Sequence, residues 1–513
     1  MNQGTTWASQ EVSFKEFLIK NKKNRTTLWF VAIAIVIQFG IFKYFYPYAS
    51  YIHGDSFSYL NAASKNLAIN TYMVGYSNFL RLLSVLTKSD IFLTAFQYLL
   101  IHFGALCMLF SIYYFYSPSR VLQYLLLTFM TFNPLFLHLA NLVSSDCIFT
   151  ALSLVWFTSL LWIIHKPSTK IIVWHTVLLF VVFTIRYNAL IYPFLSIAAF
   201  TLSPLHLHKR LIGAVASLLF CGLFIGYTSF KYKKLTGYWQ YSPFSGWQLT
   251  NNAMYAYRYV DSLKRKPVKK EFVAFDNMLR AYFDSTRDTQ KFPIEAVKAS
   301  TYYMWSPGLP MFKYRDSLFN NNKKASELKK WASMGPFYKS YGLYIIRQYP
   351  LHFMENFIWP NSLKYYAPPV EFLENYNSGK DSVAPIAKEW FDYSSRKVVT
   401  RFKNKQTITL DFYPIFSGII NAIMFFLLIF YSMLKGWKNA PMLQKGVLLG
   451  TTIWVLNAFF TIFASSAALR FQSFPITLTT MFTCLLLDWL WKSALKPDVL
   501  QLNFENKDLT IAQ

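Results

Sequence analysis

Long apolar runs, broken by short basic turns, constrain this chain more than any other feature. A helix needs about 20 apolar residues to cross roughly 30 Å of hydrocarbon, and it satisfies its own backbone polar groups there. Such runs are read at 27–46, 91–116, 121–138, 147–164, 171–185 with a return to 202, 211–230, 412–434, 446–467 and 472–491. They predict an all-α polytopic membrane protein of about ten transmembrane helices. Composition agrees: 54% of residues are hydrophobic and 15% charged, where soluble proteins average about a quarter charged.

Lys20, Lys22, Lys23 and Arg25 precede the first run, and Lys or Arg marks the turns at 117–120, 165–170, 203–210 and 435–445. Basic flanks stay cytoplasmic. Both termini, 1–26 and 492–513, are therefore expected in the cytosol of a plasma or inner-membrane protein, with no cleaved signal peptide. Lys231, Lys233 and Lys234 run against the pattern, but they open the long segment 231–411, and long segments translocate largely regardless of charge. That segment lacks a membrane-length apolar run. Helical spacing near 272–283, 294–304, 324–331 and 341–357 predicts a mostly helical extracytoplasmic domain. The expected order is helices one to seven within 27–230, the domain at 231–411, and helices eight to ten within 412–491.

The formal net charge of +27 points to a polyanionic partner. On a chain with membrane spans, anionic lipid or a phosphate is the expected one, and nucleic acid is not. Cys107, Cys147, Cys221 and Cys484 all fall in expected spans at no zinc or redox spacing. They read as small buried hydrophobes.

The first outer loop, 47–90, is the most informative polar stretch. Residues 51–83 are too polar to span a bilayer and too aromatic for an ordinary linker. His53-Gly54-Asp55-Ser56 sets a carboxylate just outside the membrane surface, and 56–65 has the spacing of a short helix with Tyr59, Ala62 and Ala63 on one side. In the expected topology Asp55, Asp146, Arg186 and Arg470 all meet the membrane on one face. A charge costs about 2.5–3.5 kcal/mol at a membrane helix centre and less near the interface, so such residues are functional candidates by default. One acid suits a general base or a ligand for a divalent cation. The other suits completing that metal site or positioning an acceptor. Two guanidiniums suit a phosphate. His53 and His138 are further ligand candidates, and Trp247, Tyr255 and Tyr257 are candidates for stacking on a sugar. Each has a plainer alternative. Asp55 and Asp146 stand where helix caps stand, arginines anchor at headgroup level, and aromatic residues belt membrane surfaces.

Together these residues resemble a known pattern. The pieces are Gly54-Asp55-Ser56 with Tyr59 and Ala62, Gly75-Tyr76-Ser77-Asn78-Phe79-Leu80, Asn133-Pro134 followed by Ser145-Asp146, Arg186-Tyr187-Asn188-Ala189-Leu190, and Arg470-Phe471 with Pro475. Their order and side are similar to those of the GT-C superfamily of multispanning glycosyltransferases, which includes protein O-mannosyltransferases and lipid A aminoarabinose transferases. The likeness covers nearly all of the membrane part and rests on the joint order of short motifs. It implies a GT-C-like fold and an inverting glycosyltransferase that moves a sugar from a polyprenyl-phosphate donor to a glycan, lipid or protein acceptor. It implies Asp55 as the catalytic carboxylate and Asp146 as its assistant. It also implies a divalent metal, for which Asp55, Asp146 and His53 are the ligand candidates. Arg186, Arg470, Tyr59 and Trp247 are the substrate-binding candidates. The chain departs from its relatives in three ways. It has no second acid close to Asp55 in the first loop, Val74 where proline usually precedes Gly75-Tyr76, and its domain between helices seven and eight rather than after the last. A polysaccharide polymerase or ligase, a lipid-linked-sugar transporter and a non-catalytic relative are the alternatives. The acid-led first loop speaks against the polymerase, and charges at outer helix ends without an internal repeat speak against the transporter.

Overall fold

The computed structural model describes residues 12–320, 324–402 and 405–494. Most of the first expected cytosolic segment's polar start, 1–11, and most of the last segment, 495–513, lie outside the described residues. The described residues are helical with no strand, and their β pairing is limited to three isolated bridges, one joining Ser50 to Leu142. Eight helices are long and apolar enough to cross a membrane: Lys22–Phe45, Asp90–Tyr116, Arg120–Ala140, Ser145–His165, Leu207–Thr236, Ile408–Met433, Pro441–Ala464 and Leu469–Ala494. The chain is an all-α, multi-pass membrane protein.

Two expected spans come out shorter, as Thr169–Phe183 and Tyr187–Leu202. The first has 15 residues, which at 1.5 Å each rise about 22 Å. Arg186 and Pro193 interrupt what would otherwise be longer apolar helices. The pair still runs between the two ends of the bundle. At one end the Gly75 N–H donates to the Thr184 carbonyl at 3.0 Å; at the other, Lys445 Nζ donates to the Leu202 carbonyl at 3.1 Å. Arg120–Ala140 bends where Thr131 closes its first part and Pro134 opens the second, with Asn133 Oδ1 accepting the Leu135 N–H at 3.0 Å.

Asp90–Tyr116 and Ser145–His165 form the centre of the bundle. A β-carbon on Gly104 would lie 2.6 Å from the Ala151 carbonyl oxygen, so only glycine permits this approach. Ser145–His165 is buried nearly all round, which explains why it carries no polar stripe. Lys22–Phe45 and Leu207–Thr236 lie at the edge and expose apolar side chains such as Trp29, Ile37, Leu219 and Leu223, the surface that lipid covers in a membrane protein.

The segment expected to be one domain divides between two cores. Helices from Pro243–Tyr257 to Gly335–Gln348 pack around Trp247, Phe275 and Tyr338 in a core of their own. Val370, Leu373, Val383, Phe391 and Val398 instead join the core of the bundle, beside Tyr51. The helix expected over 294–304 is two short pieces, Pro293–Ala296 and Tyr302–Trp305. Between them Ala299 has φ +48°, and its carbonyl accepts from Ser466 and Lys364 rather than continuing a helix.

Candidate functional site

The site begins at Gly54, whose φ of +106° suits only glycine and turns the chain into the helix Asp55–Ser64. Asp55 is the first helical residue, and Gly54 holds the cap position. Asp146 likewise follows Ser144, which caps Ser145–His165. Neither acid is a helix cap. Their oxygens are used elsewhere.

Asp55 Oδ2 accepts from Arg470 Nη2 at 2.8 Å, and Oδ1 accepts from the Tyr72 hydroxyl at 2.6 Å. Asp146 Oδ2 accepts from Ser144 Oγ at 2.5 Å and Arg470 Nη1 at 3.3 Å, while Oδ1 pairs with Arg186 Nη1. Arg470 therefore bridges the two acids, one terminal nitrogen to each. Two carboxylates and two guanidiniums balance in charge, and each carboxylate oxygen is hydrogen-bonded, which is what burying such groups requires. Phe471 lies against both guanidiniums, its ring 4.8 Å from Arg186 and 4.3 Å from Arg470. Phe372 covers Arg470 at 4.8 Å and holds φ +70°, a strained conformation for a bulky residue.

The elements that deliver these groups meet at one end of the bundle. Gly75 fixes the Arg186 turn: a β-carbon there would sit 2.6 Å from the Thr184 carbonyl oxygen. Leu469 N–H donates to the Pro369 carbonyl at 2.9 Å, which seats the start of Leu469–Ala494 under the Phe372 loop.

A cavity of about 1140 Å³ opens between this end of the bundle and the helical domain. Asp55, Tyr59, Tyr72, Arg186 and Arg470 line one side; Gln240, Phe244, Gln248, Trp305 and Lys339 line the other. The two acids differ here. The Asp55 side chain is 21% exposed and lies on the wall, whereas Asp146 is 1% exposed and Ser145 takes its place at the surface. Tyr59 lies on the wall with its hydroxyl 3.0 Å from Ser145 Oγ. Burial and the Asp55 carboxylate push the Tyr72 phenol well above its ordinary pKa, so it remains a donor at neutral pH.

The expected metal site does not form. No group of three His, Cys, Asp or Glu side chains converges among the described residues. The oxygens of both acids are engaged, and the cation between them is the Arg470 guanidinium. His53 faces the Phe57 ring at 5.0 Å, and burial followed by Lys380 lowers its imidazole pKa. His138 Nε2 lies 3.0 Å from Thr409 Oγ1, off the cavity wall. These residues as arranged do not fit a divalent ion.

Trp247 also departs from expectation. It is sealed in the domain core, its indole donating to the Trp331 carbonyl at 2.9 Å and stacking on that ring at 5.7 Å. Tyr255 and Tyr257 are buried in the same core. Helical phase is the reason: Phe244, Ser245 and Gln248 hold the cavity face of Pro243–Tyr257 and turn Trp247 inward. Tyr72, Phe372, Phe244, Gln248 and Trp305 were not singled out from sequence, and Phe471 entered only as the neighbour of Arg470. Tyr72 alone had a usable signal, because it stands in the aromatic loop that carries Asp55. No protein-family model, curated protein or solved structure matches the chain.

Proposed function

We propose that this cavity is the active site of an inverting, GT-C-like glycosyltransferase that moves a sugar from a polyprenyl-phosphate donor to an acceptor hydroxyl on the outer face of the membrane. The observation that carries the reading is the inequality of two acids within one ion network. Asp55 meets the cavity, and Asp146 is sealed behind the arginines. A general base must be able to reach the proton it takes, and of the pair only Asp55 can.

In the proposed step the acceptor oxygen attacks the anomeric carbon from the side opposite the lipid phosphate. The bond from that carbon to the phosphate oxygen breaks, and its electron pair leaves on prenyl phosphate. The hydroxyl proton passes to Asp55. One displacement inverts the anomeric centre. Arg186 lies on the cavity wall with one nitrogen held by Asp146, leaving its other N–H groups for the phosphate. Asp146 is then a positioning residue that fixes both guanidiniums. The apolar edge helices suit the donor's prenyl chain.

The test supplies membranes with radiolabelled polyprenyl-phosphate sugars and follows prenyl phosphate release. Asp55→Asn is expected to slow release by about 10²- to 10⁴-fold, the usual worth of a general base, with the protein still folded. EDTA is expected to leave the wild-type rate unchanged. A mutant as fast as wild type on a donor that the wild type accepts defeats the proposal.

A further inference from the structure

The domain side of the cavity takes no part in the transfer step, yet its polar groups are held in one orientation. Gln248 is 3% exposed and lines the cavity. Its Nε2 donates to Asn252 Oδ1 at 2.8 Å. Asn252 Nδ2 donates to the Phe463 carbonyl at 3.0 Å, so its Oδ1 must accept. Asn251 donates to the same Oδ1 at 3.2 Å and to the Ser300 carbonyl at 2.8 Å. Two backbone carbonyls thus fix which way every amide in the chain points. The orientation ends at Gln248 Oε1, a buried acceptor with no partner. A buried carbonyl left unpaired is costly, and this one belongs to a side chain that lines the cavity.

Beside it stand three rings. Tyr72, Phe244 and Trp305 have centroids 6.2, 6.0 and 5.9 Å apart pairwise. Tyr72 is the residue that holds Asp55, so a molecule resting on these rings has its hydroxyls next to the carboxylate. Ring faces suit the C–H faces of a pyranose, and a fixed lone acceptor suits a hydroxyl. The domain side offers the cavity no carboxylate to read a cationic group. The described residues also contain no strand edge along which a peptide backbone could pair.

We propose that this wall is the acceptor subsite and that the acceptor is a saccharide, stacked on Phe244 and Trp305 and hydrogen-bonded to Gln248 Oε1. The assignment of the bound sugar as acceptor rests on the transferase reading; the binding does not. The test uses the full chain in phosphatidylcholine nanodiscs. Saturation-transfer NMR is recorded with maltotriose, chitotriose and mannotriose, and with a Ser/Thr-rich peptide. At least one trisaccharide is expected to bind saturably to the wild type. Gln248→Leu, which keeps the shape and loses the acceptor, is expected to weaken it about tenfold. Trp305→Ala, at a partly exposed ring outside the amide chain, is expected to weaken it by a similar factor through lost stacking. Absence of binding by all three trisaccharides overturns the proposal. So does wild-type affinity in both Gln248→Leu and Trp305→Ala, or binding of the peptide alone. Sugar binding without prenyl phosphate release would instead count against the transferase reading and leave the saccharide site standing.

Discussion

Two buried ion networks invite comparison. In the helical domain Arg258 Nη1 meets Glu295 Oε2 at 2.8 Å, with side chains 5% and 2% exposed. Glu295 accepts from the Tyr282 and Tyr303 hydroxyls, and Arg258 donates to Thr286 Oγ1 and the Thr286 carbonyl. That network is closed and none of its residues lines the cavity beside Asp55. The network of Asp55, Arg470, Asp146 and Arg186 is equally charged and nearly as buried, yet Asp55 meets open space and Arg470 Nε has no partner. Burial of charge is common to both and so does not mark function. The open edge does.

Exchanging the roles of the two networks gives the sharpest test. Beyond the turnover lost in Asp55→Asn, which should leave the melting temperature little changed, Glu295→Gln is expected to do the opposite. It leaves a buried guanidinium unpaired and should cost about 3–5 kcal/mol of stability, read by denaturation in detergent, with sugar binding by the surviving folded fraction intact. If Glu295→Gln abolishes binding without destabilising the protein, the comparison fails. Asp146→Asn falls between the two, because it unties both guanidiniums. It is expected to lose about 3 kcal/mol of stability together with transfer activity. A purely chemical role for Asp146 would lower turnover and leave melting unchanged. The smallest effect is expected from Tyr72→Phe, which removes one hydrogen bond to Asp55 worth about 1 kcal/mol. Transfer should fall about fivefold at an unchanged melting temperature. No change would mean that Arg470 alone orients the carboxylate.

The bundle was legible because lipid imposes a simple rule: length and apolarity mark a spanning helix. The pair Thr169–Phe183 and Tyr187–Leu202 blurs that rule where Arg186 enters. The four charged residues were legible for the same reason, since an acid or arginine beside an apolar run stands out by its cost. Their mutual arrangement was not. The resemblance gave Asp55 and Asp146 different roles, but only the packing of Ser145–His165 in the bundle centre shows that Asp146 is sealed from the cavity. The expected metal site failed at the same point: Arg470 lies 415 residues along the chain from Asp55, and nothing local announces that it fills the space between two carboxylates. Trp247 and Gln248 are neighbours in sequence, and which of them meets the cavity depends on where the rest of the domain packs against their helix.

By itself, then, the sequence determined the membrane-spanning, all-helical character of the chain and the charged residues gathered at its helix ends, because hydrophobic length and the cost of charge near lipid are local properties. The tertiary structure alone decided that Val370, Leu373, Val383, Phe391 and Val398 join the bundle core, that Arg470 ties two acids together, and that Gln248 lines the cavity with its side-chain oxygen left unpaired. Each of these depends on contacts between residues far apart in the chain, which no local pattern specifies.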